Sequence, residues 1–214
     1  MGLMKILLSQ CSKPRGWHGR ITLRNMNLGH AALTAWGLQH ASIQIRDTIL
    51  DVGCGGGATV ASLATLAPEG KIYGIDYSVE SVAASRRKNR AMIALGRVEI
   101  LLGSVSHLPF PDQMFDLVTA VETHYFWPNL VADTREILRV LKPGGTFILI
   151  AEAYKGGKYD ERLKKLDQLR GELRFTHLSI AEHRNLLSEV GFSDIEIIED
   201  YERGWVCASG SKIT

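Results

Sequence analysis

The run Ile49-Leu50-Asp51-Val52-Gly53-Cys54-Gly55-Gly56-Gly57 places a carboxylate and a cluster of glycines at the end of an apolar stretch. Glycines there let a ligand lie against the main chain, and amides at the start of the helix expected over Ala58 to Leu66 can face an acceptor atom. Nucleotide-type cofactors use such loops. Gly53, Gly55 and Ala58 satisfy the loose dinucleotide spacing G-x-G-x-x-G/A, and Asp76 ends the next apolar stretch where that pattern carries its ribose-binding carboxylate. The loop alone therefore fits NAD as well as other adenosine-bearing cofactors. A second polar cluster, Val121-Glu122-Thr123-His124-Tyr125-Phe126-Trp127, closes a later apolar run and combines an acid, an imidazole and a series of aromatic rings.

Between Thr48 and Ala153, short aliphatic stretches alternate with longer amphipathic ones, the pattern of repeated βαβ units on a parallel sheet. Strands are expected at Thr48 to Val52, Lys71 to Asp76, Val98 to Leu102, Phe115 to Val121 and Thr146 to Ala151. In such a sheet ligands sit beyond the carboxyl ends of the strands, so both clusters should line one pocket. Ser78 suits the N-cap of a helix running to about Leu95. Pro128 suits the first turn of another, which Pro143-Gly144-Gly145 terminates. Leu163, Leu166, Leu169 and Leu173 recur at helical spacing. Ser179 and Glu182 form a capping-box signature before a helix that stops at Gly191, and strands follow at Ile195 to Ile198 and Trp205 to Ala208. The first 45 residues differ: Lys13 to Arg20 is turn-rich and carries Trp17 and His18, whereas Leu28 to His40 reads as a helix. Residues 1–45 are expected to form a cap segment and residues 46–214 a single compact domain.

With 214 residues and 45% hydrophobic content, the chain is long enough for one substantial core. A formal net charge of +2 gives no broad pull toward nucleic acid or anionic membrane, so the expected partner is a small molecule. The basic side chains of Lys155, Lys158, Arg162, Lys164, Lys165, Arg170 and Arg174 alternate with Asp160, Glu161, Asp167 and Glu172, as on a solvated helix face. Cys11, Cys54 and Cys207 are widely separated and lack a C-x-x-C pair, so neither a disulfide framework nor a metal site is expected, and a reducing cytoplasm suits them. No apolar run is long enough to span a bilayer, and no targeting or anchoring segment is expected. Oligomeric state is not legible.

Taken in order, Asp51 before the glycines, Asp76 after Ile72-Tyr73-Gly74-Ile75, Leu108-Pro109-Phe110 ahead of Phe115-Asp116-Leu117-Val118, and Leu141-Lys142-Pro143-Gly144-Gly145 resemble the class I S-adenosylmethionine-dependent methyltransferases. The likeness is to the small type 11 methyltransferase domains that act on metabolites, and it runs from about Arg46 to Ala153. It implies an α/β fold: a Rossmann-like, doubly wound, seven-stranded sheet, mostly parallel with an antiparallel last strand, plus an N-terminal helical cap. It also implies S-adenosyl-L-methionine as methyl donor and a small-molecule acceptor. Gly53, Cys54, Gly55 and Gly57 would lay backbone against the methionyl and ribose parts, and Asp51 would accept from the methionine ammonium. Asp76 would take the ribose hydroxyls, with Tyr77 as an apolar wall for the adenine. Where the family usually has an acid after the third strand, this chain has Ser104, so adenine recognition leans on a hydroxyl and on the backbone of Val105. Glu122 would face the sulfonium or the ammonium, and Tyr125 or Trp127 could offer a cation–π face. His124 is the first candidate general base and Tyr125 the second, with His18 and His30 as cap-borne alternatives. Two other readings stay open. One is a cofactor-binding sensor without turnover. The other is an NAD(P)-linked oxidoreductase, against which stand Asp51, the Pro143-Gly144-Gly145 turn and the lack of a Tyr-x-x-x-Lys pair.

Overall fold

The computed structural model describes residues 30–164 and 176–214; Trp17, His18 and the leucine repeat beyond Leu163 lie outside the described residues. Helix α1 (Ala31–Leu38) is followed by β1 (Thr48–Val52), α2 (Ala58–Leu66), β2 (Lys71–Asp76), α3 (Val79–Lys88), α4 (Arg90–Ala94) and β3 (Val98–Leu102). Then come β4 (Phe115–Val121), a 3-10 turn (His124–Phe126), α5 (Leu130–Val140), β5 (Leu141–Glu152), α6 (Ile180–Val190), β6 (Phe192–Asp200) and β7 (Trp205–Lys212). The strands form one sheet in the order β3-β2-β1-β4-β5-β7-β6. Strands β1 to β5 pair in parallel, and β7 runs antiparallel to both its neighbours. This is the expected seven-stranded sheet with its reversed last strand.

Burial explains why the central strands are legible to the residue. In β1, Ile49, Leu50, Asp51 and Val52 are all buried, because helices cover both faces, so the strand reads as an unbroken apolar run rather than an alternation. Leu33, Val60, Leu63 and Val82 pack one face; Val118, Ile137 and Leu187 belong to the core on the other. From β1 the chain winds outward through β2 to β3, then crosses back to β4 on the opposite side. That reversal leaves a crevice beyond the carboxyl ends of β1 and β4, where open α/β sheets take their ligands.

Three elements differ from expectation. The helix from Ser78 breaks at Asn89, whose side-chain amide donates to the carbonyls of Ser85 and Gly57 at 3.0 and 3.1 Å. A buried tertiary contact to the glycine loop thus overrides helix continuity. Strand β5 starts at Leu141 rather than Thr146: Phe115 pairs with Leu141 and Leu117 with Thr146, so Pro143-Gly144-Gly145 bulges out between two paired segments. Finally, β6 and β7 are longer than their apolar cores; in β6 the exposed Asp194, Glu196 and Glu199 are interspersed with partly buried residues on a strand open at one edge.

Helix α1 lies flat on the sheet. A Cβ on Gly37 would stand 2.4 Å from Ile150 Cδ1, so only glycine lets the helix approach β5 this closely. Of the described basic residues after β5, Lys155 pairs with Glu182 at 3.1 Å, Lys158 with Glu202 at 3.2 Å and Lys164 with Asp160 at 2.9 Å. Among the described residues, no helix is long and apolar enough to cross a membrane.

Candidate active site

The glycine loop is tied to β2 by its own backbone. The amides of Gly53 and Cys54 both donate to the Ile75 carbonyl, at 2.8 and 3.0 Å. Gly53 has φ +73°, and a Cβ there would lie 2.1 Å from Thr123 Oγ1, so this glycine meets both a conformational and a steric demand. Asp76 locks the turn: Oδ2 accepts from the Gly55 amide at 2.9 Å and Oδ1 from the Ser78 amide at 2.8 Å. A carboxylate has about four acceptor positions, so these two bonds leave capacity for ligand hydroxyls. Burial raises the Asp76 pKa, and the two amide bonds pull it back.

Asp51 is 2% exposed and accepts from Thr119 Oγ1 at 2.7 Å. Burial pushes its carboxyl up to about 7, and the nearby Asp76 adds to the shift. A cation placed beside it would restore its charge. Cys54 is buried, and burial raises its thiol pKa well above the ordinary value, which agrees with a spacer rather than a nucleophile.

A cavity of about 330 Å³ opens between these elements. Gly53, Asp76, Tyr77, Ser104 and Val105 line one part; Thr123, Phe126, Trp127 and Pro128 line the other. Five of the expected residues, Gly53, Asp76, Tyr77, Ser104 and Val105, thus come from three strand ends to one space, whereas Asp51, Cys54, Gly55 and Gly57 lie behind its lining. Ser104 Oγ accepts from the Ser106 amide at 3.2 Å, a local turn bond that leaves its second lone pair for a ligand. The loop beyond is pinned from α5. Arg139 donates to the carbonyls of Leu108 and Phe110 at 3.0 and 2.8 Å, while Glu136 accepts from the Leu108 amide at 3.1 Å.

Beyond β4 the structure corrects the expected orientations. His124 and Tyr125 do not line the cavity; they are 1% and 7% exposed, with ring centroids 4.1 Å apart. The cause is the 3-10 turn, which replaces the period of two by one of three and sets residues i and i+3 on the same side. Thr123 and Phe126 therefore face the cavity, and the two residues between them turn into the core. Burial holds the His124 imidazole well below its usual pKa, and among the described residues neither ring nitrogen has a hydrogen-bond partner. An incoming acceptor has no contact with it in this arrangement. The Tyr125 hydroxyl donates to the Glu152 carbonyl at 2.5 Å and lies 3.0 Å from Glu122 Oε1.

Glu122 likewise turns away from the loop, toward β5. It adopts φ +56°, and its Oε1 accepts from the Glu152 amide at 2.5 Å. Burial pushes its carboxyl up to about 8. The Tyr125 hydroxyl carries one hydrogen, which the Glu152 carbonyl takes; a protonated Glu122 completes the pattern by donating to the phenol oxygen. His30, the N-cap residue of α1, brings Nε2 to 3.9 Å from Glu122 Oε2. Thr123, Asn89, Glu136 and Glu152 are the contributors the sequence left unmarked. Only Thr123, beside Glu122 at a strand end, carried a positional signal.

Known proteins resemble this chain in sequence and in fold. The methyltransferase domain family matches residues 50–149, from the glycine loop through β5. Demethylmenaquinone methyltransferase of Symbiobacterium thermophilum is 40% identical over 105 residues, covering 49% of this chain and 42% of that protein. Over those matched residues, 50–149, the chain carries a class I S-adenosylmethionine-dependent methyltransferase domain. Its fold is shared by a chain of the complex between the Haloferax volcanii Trm112 methyltransferase activator and a methyltransferase, with TM-score 0.77, 22% identity and coverage of 92% and 96% of the two chains. Geranyl diphosphate C-methyltransferase of Streptomyces coelicolor, solved with S-adenosyl-L-homocysteine, superposes with TM-score 0.72 at 14% identity, covering 86% and 79%. The family match ends at residue 149, within β5, and the chain spans a little under half the length of the curated relatives it matches.

Proposed function

We propose that this protein transfers the methyl group of S-adenosyl-L-methionine to a small-molecule acceptor. The observation that carries the reading is the convergence of the Gly53 loop, Asp76 and Ser104-Val105 on one cavity within a methyltransferase domain. Asp76 takes the ribose hydroxyls, Tyr77 and Val105 flank the adenine, and Gly53, Cys54, Gly55 and Gly57 admit the methionyl part along the backbone. Asp51, buried and without a cationic partner of its own among the described residues, receives the methionine ammonium directly or through water. Methyl transfer is an in-line displacement that expels a neutral thioether, so the protein acts mainly by alignment. The acceptor enters past Phe126 and Trp127. Where it carries a hydroxyl or an acidic carbon, His30 is the available imidazole: its side chain is 25% exposed and burial lowers its pKa, which keeps it a free base near neutral pH. The relatives named for demethylmenaquinone and geranyl diphosphate support a small organic acceptor.

The test is incubation of the protein with methyl-labelled S-adenosylmethionine and a small-molecule extract. Label in an extractable product, absent with Asp76→Ala, supports transfer; cofactor binding with no transfer to any fraction would favour a sensor.

Two outcomes follow for the cofactor site. Ser104→Asp supplies a charged acceptor for the adenine amino group and should tighten S-adenosylhomocysteine binding by about tenfold, as charge-assisted bonds are roughly twice as strong as neutral ones. Unchanged or weaker affinity in calorimetry would displace Ser104 from the adenine. The second concerns pH. In the free protein Asp51 holds its proton up to about 7. The cofactor ammonium favours the ionised form, so binding below that pH must release the proton, and affinity rises with pH. The expected slope below pH 7 is about tenfold per unit, one unit being about 1.4 kcal/mol. Asp51→Asn should flatten it; an equal slope in the variant would assign the proton elsewhere.

A further inference from the structure

His30, Glu122 and Glu152 come from three separate places, the N-cap of α1 and the carboxyl ends of β4 and β5. Yet one ligand-type atom from each lies within 4.8 Å of the other two. The pair His30 Nε2 and Glu122 Oε2 is 3.9 Å apart, too far for a hydrogen bond. Glu122 is held from behind: the Glu152 amide and the Tyr125 hydroxyl engage Oε1, which directs Oε2 at the imidazole. The two acids share the space beside the imidazole. Among the described residues neither forms an ion pair with lysine or arginine, and His30 is the only basic side chain within reach.

An imidazole nitrogen with carboxylate oxygens is the donor set of divalent transition ions. Two ligands each about 2.1 Å from a shared ion stand about 3 Å apart when adjacent and about 4.2 Å when opposed. The 3.9 Å separation already falls within that range, and the widest separations close with side-chain shifts of under about 1 Å. We propose that His30, Glu122 and Glu152 bind one divalent transition-metal ion beside the cofactor cavity. Glu122 is adjacent in sequence to the cavity-lining Thr123, and Glu152 is exposed, so the remaining coordination positions face solvent. There an acceptor oxygen can replace water, and the ion would lower the pKa of that hydroxyl, its proton passing to solvent, and fix its position; His30 is then a ligand and serves as the base only when no ion is bound. The acceptor class is then one with a metal-binding oxygen, such as a phenol or an enol. This last step rests on the methyltransferase reading; the metal site itself does not.

The experiment is a manganese titration of the full chain, followed by the electron paramagnetic resonance signal of the free ion, with S-adenosylhomocysteine titrated into the same preparation by calorimetry. The expected result is loss of free signal up to one equivalent. Glu152→Gln and His30→Gln should each weaken manganese binding by about tenfold or more, with circular dichroism unchanged. Binding that survives both variants undiminished, or no binding beside normal S-adenosylhomocysteine binding, would overturn the metal site and leave the methyltransferase reading intact. Manganese binding without cofactor binding would do the reverse.

Discussion

Asp76→Ala should lose S-adenosylhomocysteine binding by more than about a hundredfold, a change of roughly 3 kcal/mol, since charge-assisted hydrogen bonds contribute about 1.5–3 kcal/mol each. The side chain has two tasks. It would receive the ribose hydroxyls, and it already holds the amides of Gly55 and Ser78, so truncation strips the loop and the start of α3 of an acceptor at once. Asp76→Asn separates the tasks. It keeps one acceptor oxygen of similar shape but presents a donor where the other amide needs an acceptor, so an intermediate loss of about tenfold is expected. Thermal unfolding of the same samples checks the fold. Affinity within about threefold of the parent in folded Asp76→Ala would remove this residue from the cofactor site.

The largest effect on stability should come from Gly57→Ala. Gly57 is the N-cap of α2 at φ +78°, and a Cβ there would meet Ser85 Oγ at 2.3 Å, Asn89 Nδ2 at 2.5 Å and the Ser85 backbone at 2.9 Å. The side-chain atoms can turn aside only by giving up the Asn89 bond to the Gly57 carbonyl; the backbone atom cannot. The left-handed conformation costs about 1–2 kcal/mol for alanine, and overpacking about 1–3 more. A combined loss near 3 kcal/mol lowers the melting temperature by roughly 6–12 °C in a chain of this size. Gly144→Ala is the control, for Gly144 has φ +76° but nothing within 4 Å of its would-be Cβ. It should cost only the conformational part. Equal melting temperatures for the two variants would mean that the contact with α3 does not brace the loop.

These two glycines mark how far the sequence could be read. Elements buried on both faces, such as β1 and β2, announce themselves through composition, and the motifs at their ends followed. Ser179 with Glu182 and Gly191 bounded α6 because capping chemistry is local. What failed was long-range or depended on a change of period. Asn89 breaks a helix for the sake of Gly57, far away in the chain. The 3-10 turn after β4 rotates His124 and Tyr125 into the core and Thr123 into the cavity, which residue type alone cannot indicate. Glu152 looked like a polar residue ending a strand, and only the parallel pairing of β4 with β5 brings it beside Glu122. His30 is legible as a cap-borne candidate base, but its place beside Glu122 and Glu152 is not.

The account stands most directly on what occupies the cavity of Gly53, Asp76 and Ser104. Isothermal titration of the full chain with S-adenosylmethionine, S-adenosylhomocysteine and NAD decides it. The first two should each bind one per chain, and NAD should give no heat. Binding of NAD alone, or of none of the three to folded protein, would contradict it and leave the glycine loop to another ligand or to the fold.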